Sequence, residues 1–185
     1  RVSHPNLGIR AGDPVFIAHA RAVETIRNMG VQGQIGFVNV LQPNDPITNS
    51  AEDVNACELA EACFTHWFYD PVLKGEYPAE LLAMAQTALG VPVFAPGDAE
   101  LMKNNICHFI GVNYYKREMV AANYDVDGFE MNTSGQKGSG KELGWKGLFK
   151  LVRNPNGRYT DWDWEIYPEG LTDAVMRINK RYGSV

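Results

Sequence analysis

The sequence predicts an α/β architecture with parallel strands, and three observations carry that prediction. Two short runs, Ile35-Gly36-Phe37-Val38-Asn39-Val40-Leu41 and Phe109-Ile110-Gly111-Val112-Asn113-Tyr114-Tyr115, are apolar at nearly every position rather than at alternate ones. That is the pattern of strands buried on both faces. Helical stretches lie before, between and after them, and such alternation is the mark of a parallel sheet. A parallel sheet of two strands cannot cover its own edges, so neighbouring strands are expected outside these 185 residues.

The elements follow in order. Asp13 and Pro14 form an N-cap and first-turn pair, and Phe16, Ala20, Val23 and Ile26 recur at helical spacing until Gly30, which predicts a helix over residues 14–29. The first strand is bounded by Gly33 and by Pro43-Asn44-Asp45-Pro46. Ser50-Ala51-Glu52-Asp53 opens a second helix by a capping box, with Val54, Cys57, Ala60, Phe64, Trp67 and Phe68 on one stripe until Asp70-Pro71 stops it. A shorter helix runs from Pro78 to Leu89 and ends at Gly90, and the second strand follows. From about Lys116 to Tyr159 no period is sustained; residues 116–160 read as a long functional loop or small subdomain. A last helix starts near Pro168, carries Leu171, Val175, Ile178 and Tyr182 on one face, and closes at Gly183.

Composition narrows the function. With 17 Lys and Arg against 22 Asp and Glu, a net charge of −5 and no basic run, the chain lacks the electrostatic footprint of a nucleic-acid binder. No apolar stretch approaches the roughly 20 residues that span a bilayer, and Arg1-Val2-Ser3-His4-Pro5 lacks the apolar core of a signal peptide. A soluble protein without membrane partners is expected. Cys57, Cys63 and Cys107 are odd in number and show no C-x-x-C or Cys/His spacing. Reduced thiols in the cytoplasm, with no zinc or other metal site, are the simplest reading. The absence of an initiating Met suggests a piece of something longer.

In parallel α/β folds, chemistry collects where strands end at their carboxyl termini. Asn113, Tyr114 and Tyr115 close the second strand and would present an amide and a hydroxyl to a cleft. The alternative is that the tyrosines are core aromatics whose hydroxyls find backbone partners. In Asp161-Trp162-Asp163-Trp164-Glu165-Ile166-Tyr167, an extended backbone would put Asp161 and Asp163 on one face about 6.6 Å apart, with the indoles opposite. Paired carboxylates flanked by tryptophans suit glycosidase chemistry; the competing reading has the acids capping the next helix while the indoles pack. Residues 134–141, Ser-Gly-Gln-Lys-Gly-Ser-Gly-Lys, have the composition of a phosphate cradle but not the P-loop spacing, and read as a polar loop. His19, His66 and His108 have no partner at ligand spacing.

Five collinear stretches carry a resemblance: Ala18-His19-Ala20-Arg21-Ala22-Val23, Gly33-Gln34-Ile35-Gly36, Asp70-Pro71-Val72-Leu73-Lys74-Gly75-Glu76-Tyr77-Pro78, Phe109 to Tyr115, and Trp164-Glu165-Ile166-Tyr167-Pro168-Glu169-Gly170-Leu171. In order and spacing they resemble the middle of a glycoside hydrolase family 1 enzyme. The resemblance implies part of a (β/α)8 barrel, from about its fourth helix to its sixth and including its fifth and sixth strands, within a retaining β-glycosidase. The family's acid/base glutamate lies in a T-x-N-E-P type motif and its nucleophile in an I-T-E-N-G motif. Neither occurs in these 185 residues, and Asp161 and Asp163 match positions the family does not use as catalysts, so the paired-carboxylate reading falls.

What the resemblance carries over is auxiliary. Tyr115 matches the tyrosine of the sixth barrel strand whose hydroxyl donates to the nucleophile carboxylate, favouring its ionised form. Asn113 matches an asparagine of the sugar pocket, and Trp164 the tryptophan walling the leaving-group side. Where the family usually has Asp, this chain has His108, at the start of the strand, which touches packing rather than chemistry. Gly135-Gln136-Lys137-Gly138-Ser139, Lys146-Gly147 and Thr160-Asp161-Trp162-Asp163-Trp164 resemble the 6-phospho-β-glycosidase branch. That branch implies a phosphorylated β-glucoside as substrate, a cytoplasmic setting and no cofactor. Alternatives are a β-glucosidase on unphosphorylated sugars, or a catalytically inactive sugar-binding or scaffold piece. Isolated from the rest of a barrel, the chain is expected to associate with itself or with the missing segments.

Overall fold

The computed structural model describes residues 6–90, 94–125 and 143–184. The glycine- and lysine-rich stretch at 134–141 lies outside them. The chain divides into two compact units. One, the strand-pair unit, holds Asn6–Val40, Ala62–Asn113 and residues 178–184; the other, the sheet unit, holds Leu41–Glu61 and Tyr114–Arg177.

In the strand-pair unit, β1 (Gly36–Val40) and β3 (Phe109–Asn113) pair in parallel, with Gly36 opposite Phe109 and Val40 opposite Asn113. Two glycines permit the close approach. A Cβ on Gly36 would meet the Phe109 ring at 2.4 Å, and one on Gly111 would meet Val38 Cγ2 at 2.9 Å. Helices α1 (Asn6–Asn28), α3 (Trp67–Leu73), α4 (Ala79–Leu89) and α5 (Asp98–Asn104) complete the unit. Its core holds Phe16, Ala20 and Val23 of α1, Trp67, Tyr69 and Val72 of α3, Leu81 and Met102. Phe37 of β1 meets both His19 and Tyr69 edge to face.

The strands differ from expectation in one respect. Their apolar pattern predicts burial on both faces, yet Val38 is 62% exposed and Val40 and Phe109 about 40%. Phe37 turns one face toward helical partners, while the face of Val38, Val40 and Phe109 stays open. The apolar pattern is that of a strand covered twice; these residues supply one cover.

Two helices outrun their predicted limits. The first begins at Asn6 and passes through Pro14: a proline inside a helix loses its N–H donor and crowds the carbonyl four residues back, and the buried stripe of Phe16, Ala20 and Val23 that follows holds the helix. The second, α2 (Ala51–Glu61), continues through a π-helical turn at Ala62–His66 into α3, which contains Pro71. Six of the seven α3 residues are buried, and that packing outweighs the proline. The short α5 was not anticipated.

The sheet unit contains the stretch from Lys116 to Tyr159 in which no period is sustained. Strands β2 (Asn44–Pro46), β4 (Glu118–Ala122), β5 (Leu143–Trp145) and β6 (Phe149–Val152) lie in the order β2-β4-β6-β5. β2 runs parallel to β4, and the other pairs are antiparallel. Asn44-Asp45-Pro46 reads as a turn by composition, but it takes its ladder from β4 and continues it through Ile47 N–H to Val120 O at 2.8 Å. Helix α2 packs on β4. Ser50 caps it, accepting from Asp53 N–H at 3.2 Å. The Asp53 carboxylate accepts instead from Thr48 Oγ1 and from Ala122 N–H of β4. Helix α6 (Gly170–Tyr182) buries Ala174 and Ile178, while Leu171 and Val175, expected on the covered face, are about half exposed.

A buried carboxylate fixes α3 in the strand-pair unit. Asp70 is 1% exposed and receives Arg181 Nε at 2.9 Å, Arg181 Nη2 at 2.5 Å and the Tyr182 hydroxyl at 2.6 Å. Its loss leaves the partly buried Arg181 guanidinium with Glu80, at 2.9 Å, as its remaining carboxylate partner. Asp70→Ala is expected to cost about 3 kcal/mol in urea unfolding, and pairing it with Arg181→Met to recover part of that loss.

Candidate active-site segment

The site is built from the chain just after β3 and from the segment that precedes α6, both in the sheet unit. Tyr114 turns inward, its hydroxyl donating to Tyr167 O, and Gly170 makes room for it: a Cβ there would lie 2.1 Å from the Tyr114 oxygen. Tyr115 points out and is 51% exposed. Its ring meets Trp164 at 5.4 Å between centroids, tilted 48°. Trp164 in turn lies 6.3 Å from Trp162. Of the two tyrosines, Tyr114 follows the structural reading and Tyr115 stays available. Asn113 is exposed at the end of β3, two residues before Tyr115.

Arg117 holds this arrangement. Its Nε and Nη2 donate to the two Glu165 oxygens at 2.9 and 2.8 Å, and Nη1 donates to Asp45 Oδ2 at 3.2 Å. The guanidinium carbon sits 3.8 Å from the centre of the Tyr167 ring. Glu165 is buried, and Asn154 Nδ2 donates to it at 2.7 Å. The Arg117 hydrogen bonds hold its carboxyl below the usual glutamate range, against the opposing effect of burial, and they push Arg117 up. Asp45 is shared with Arg177, which also donates to Asn44 O at 2.7 Å. Neither Arg117 nor Glu165 was singled out from the sequence. A bidentate pair between residues 48 positions apart leaves no local spacing to read.

Asp161 and Asp163 do not form the extended pair that spacing allowed. Residues 161–163 are a turn, and Asp163 takes a left-handed backbone with φ of 58°. Asp163 accepts from Arg153 Nη1 at 2.9 Å.

The histidines have structural partners in the strand-pair unit. His19 Nε2 lies 3.1 Å from Cys107 Sγ, His66 Nδ1 lies 2.8 Å from Glu80, and His108 Nδ1 accepts Ile35 N–H at 3.0 Å. The His108 contact ties the start of β3 to the start of β1. All three cysteines are free and buried, and burial pushes Cys57 and Cys63 up to about 12 and Cys107 to about 11. Among the described residues no group of three His, Cys, Asp or Glu side chains stands ready to hold a metal, and no helix is long and apolar enough to cross a membrane.

A parallel strand pair backed by helices, as in the strand-pair unit, is the building element of a (β/α)8 barrel. The Glycosyl hydrolase family 1 model matches residues 8–185, and the chain belongs to that family. An aryl-phospho-β-D-glucosidase of Bacillus subtilis is 35% identical over 170 residues, covering 90% of this chain and 35% of the relative. A 6-phospho-β-galactosidase of Lacticaseibacillus casei is 37% identical over 176 residues, covering 90% and 36%. Among solved structures, the β-glucosidase BglU of Micrococcus antarcticus superposes with a TM-score of 0.79 at 26% identity, covering 98% of this chain and 39% of that one. The chain thus spans little more than a third of the length of these proteins.

The depressed Glu165 carboxyl has a signed consequence. Its contribution to stability is complete above the ordinary value of about 4.5 and is lost as pH falls through the lower folded value. Urea midpoints measured from pH 7 down to pH 3 should fall more steeply for the native chain than for Glu165→Gln, which is less stable at neutral pH and has no such charge to lose.

Proposed function

We propose that the chain is part of a retaining β-glycoside hydrolase acting on 6-phospho-β-glucosides. The observation that carries this reading is that relatives 34–37% identical are named as aryl-phospho-β-D-glucosidase and 6-phospho-β-galactosidase. Hydrolysis by such an enzyme is a double displacement: one carboxylate attacks the anomeric carbon while an acid protonates the leaving oxygen, and water then releases the glycosyl-enzyme. The motifs that carry both carboxylates are absent from this sequence, so this segment's part is to position. Tyr115 would donate its hydroxyl to the nucleophile carboxylate, Asn113 would bond the sugar, and Trp164 would stack on the leaving group. The exposure of Tyr115 and Trp164 and their mutual contact support these roles. No metal or cofactor enters the scheme. Three buried free thiols support a reducing, cytoplasmic setting, and the open face of Val38 and Phe109 supports association with further barrel segments.

A β-glucosidase acting on unphosphorylated sugars is the second reading, favoured by the likeness to the Micrococcus antarcticus β-glucosidase. The test is the whole enzyme on p-nitrophenyl β-glucoside, its 6-phosphate and the galacto 6-phosphate. The gluco 6-phosphate should give the highest kcat/KM. A higher value for the plain glucoside would replace the first reading with the second, and a higher value for the galacto compound would change the sugar alone. The 185 residues by themselves should turn over none of the three.

Tyr115→Phe in the whole enzyme removes one hydrogen bond to a charged group, so kcat should fall about 10- to 100-fold. Steady-state kinetics should show a smaller change in KM.

A further inference from the structure

We propose that Trp162 is a second leaving-group platform, continuing the wall that Trp164 begins, and that Asp163 and Arg153 are the positioning residues that hold it there. The inference rests on the glycosidase reading above. It goes further by assigning a binding role to a residue that reading leaves idle, and by naming what the residue binds: a flat leaving group two rings long.

Three large aromatic side chains of the sheet unit are linked by ring contacts, Tyr115 to Trp164 and Trp164 to Trp162, and remain open to solvent. Tyr115 is 51%, Trp164 38% and Trp162 48% exposed, with successive centroids 5.4 and 6.3 Å apart and tilts of 48° and 40°. Indoles contribute most when buried, and one left nearly half open beside another offers ring surface to a partner. A single aromatic ring occupies one such face; the second indole reaches a second ring.

The turn that carries Trp162 is fixed in detail. Thr160 Oγ1 accepts from Trp162 N–H and Trp164 N–H, both at 3.3 Å. Asp163 N–H donates to Thr160 O at 3.1 Å, and Thr160 N–H to Trp164 O at 2.9 Å. Between the indoles sits Asp163 at φ of 58°, a region that side chains other than those of Gly, Asn and Asp seldom adopt. Its carboxylate takes Arg153 Nη1 at 2.9 Å, and the Arg153 guanidinium lies 3.7 Å from the centre of the Tyr159 ring. On the other side of Trp164, Glu165, Arg117 and Tyr167 repeat the pattern, with the guanidinium 3.8 Å from the ring centre. Each acid next to Trp164 is tied to an arginine stacked on a tyrosine, so the tryptophan turn is anchored at both edges.

The experiment compares two leaving groups of similar acidity, 4-methylumbelliferyl with two fused rings and p-nitrophenyl with one, on the same glycoside 6-phosphate and with the whole enzyme. Trp162→Ala should lower the ratio of kcat/KM for the two-ring over the one-ring substrate by about 3- to 10-fold, through KM. Asp163→Ala, which loses both the tether and the tolerated backbone, should lower the ratio in the same direction. Asp163→Asn, which tolerates the left-handed region and can still accept from Arg153, should restore it. A general loss of stability would depress both substrates together and leave the ratio where it was. A ratio unchanged in Trp162→Ala while the native and variant enzymes both hydrolyse overturns the proposal. An intact native enzyme that hydrolyses no β-glycoside overturns the glycosidase reading and this inference with it.

Discussion

The hydrogen-bonded fork of Arg117 on Glu165 is the constraint on which the sheet unit's site depends. Arg117 lies two residues past Tyr115, and Glu165 is the neighbour of Trp164, so two parallel N–H···O bonds at 2.9 and 2.8 Å fix where the two aromatic segments meet. The third contact, to Asp45 at 3.2 Å, adds β2 to the same guanidinium. A lysine could neutralise the charge but not satisfy the geometry, because only a planar fork binds a carboxylate through two bonds while stacking its face on a ring such as Tyr167. Burying such a pair adds little net stability once desolvation is counted. What it contributes is register: together with the Tyr114 hydroxyl on Tyr167 O, it ties the segment that carries Tyr115 to the one that carries Trp164.

The strand-pair unit answers a different demand. At the amino end of its two strands, His108 takes the Ile35 N–H, and Arg27 donates to the Asn104 and Ile106 carbonyls at 2.8 and 3.0 Å. Those contacts close backbone groups and hold helices to strands. At the carboxyl end, β3 finishes in an exposed Asn113. In a (β/α)8 barrel conserved contacts at the amino ends of the strands serve stability, and the partners of His108 and Arg27 are backbone groups of that kind. His108 therefore belongs with packing.

Much of the frame is legible from residues alone. The stripe of Phe16, Ala20 and Val23, the Ser50 cap and the two apolar strands all declare themselves, because burial, capping and parallel pairing each leave a mark within a few residues. Asn44-Asp45-Pro46 and Glu118-Met119-Val120-Ala121-Ala122 do not, since their strand character comes from pairing with one another and not from their own propensity. Helix α6 misleads for a related reason. Of the predicted apolar face, Ile178 is buried while Leu171 and Val175 are about half exposed, because the apolar stripe of a barrel helix is sized for more neighbours than this chain holds. Tyr115, Asn113 and Trp164 came from a resemblance of motifs; Arg117 and Glu165, which align two of them, required coordinates.

The run Asp161-Trp162-Asp163-Trp164-Glu165 shows why a carboxylate beside a tryptophan is weak evidence for catalysis. A general acid or a nucleophile needs a carboxyl whose proton affinity is set for the reaction and whose oxygens face the substrate. Asp163 spends an oxygen on Arg153, and Glu165 gives both of its oxygens to Arg117 and one also to Asn154. A glutamate held ionised by a stacked arginine cannot lend a proton near neutral pH. It can hold a neighbour still and keep the local charge balanced. Acids alternating with indoles are therefore better read as a braced aromatic turn than as an acid/base pair, and the bracing arginine is the feature that distinguishes the two.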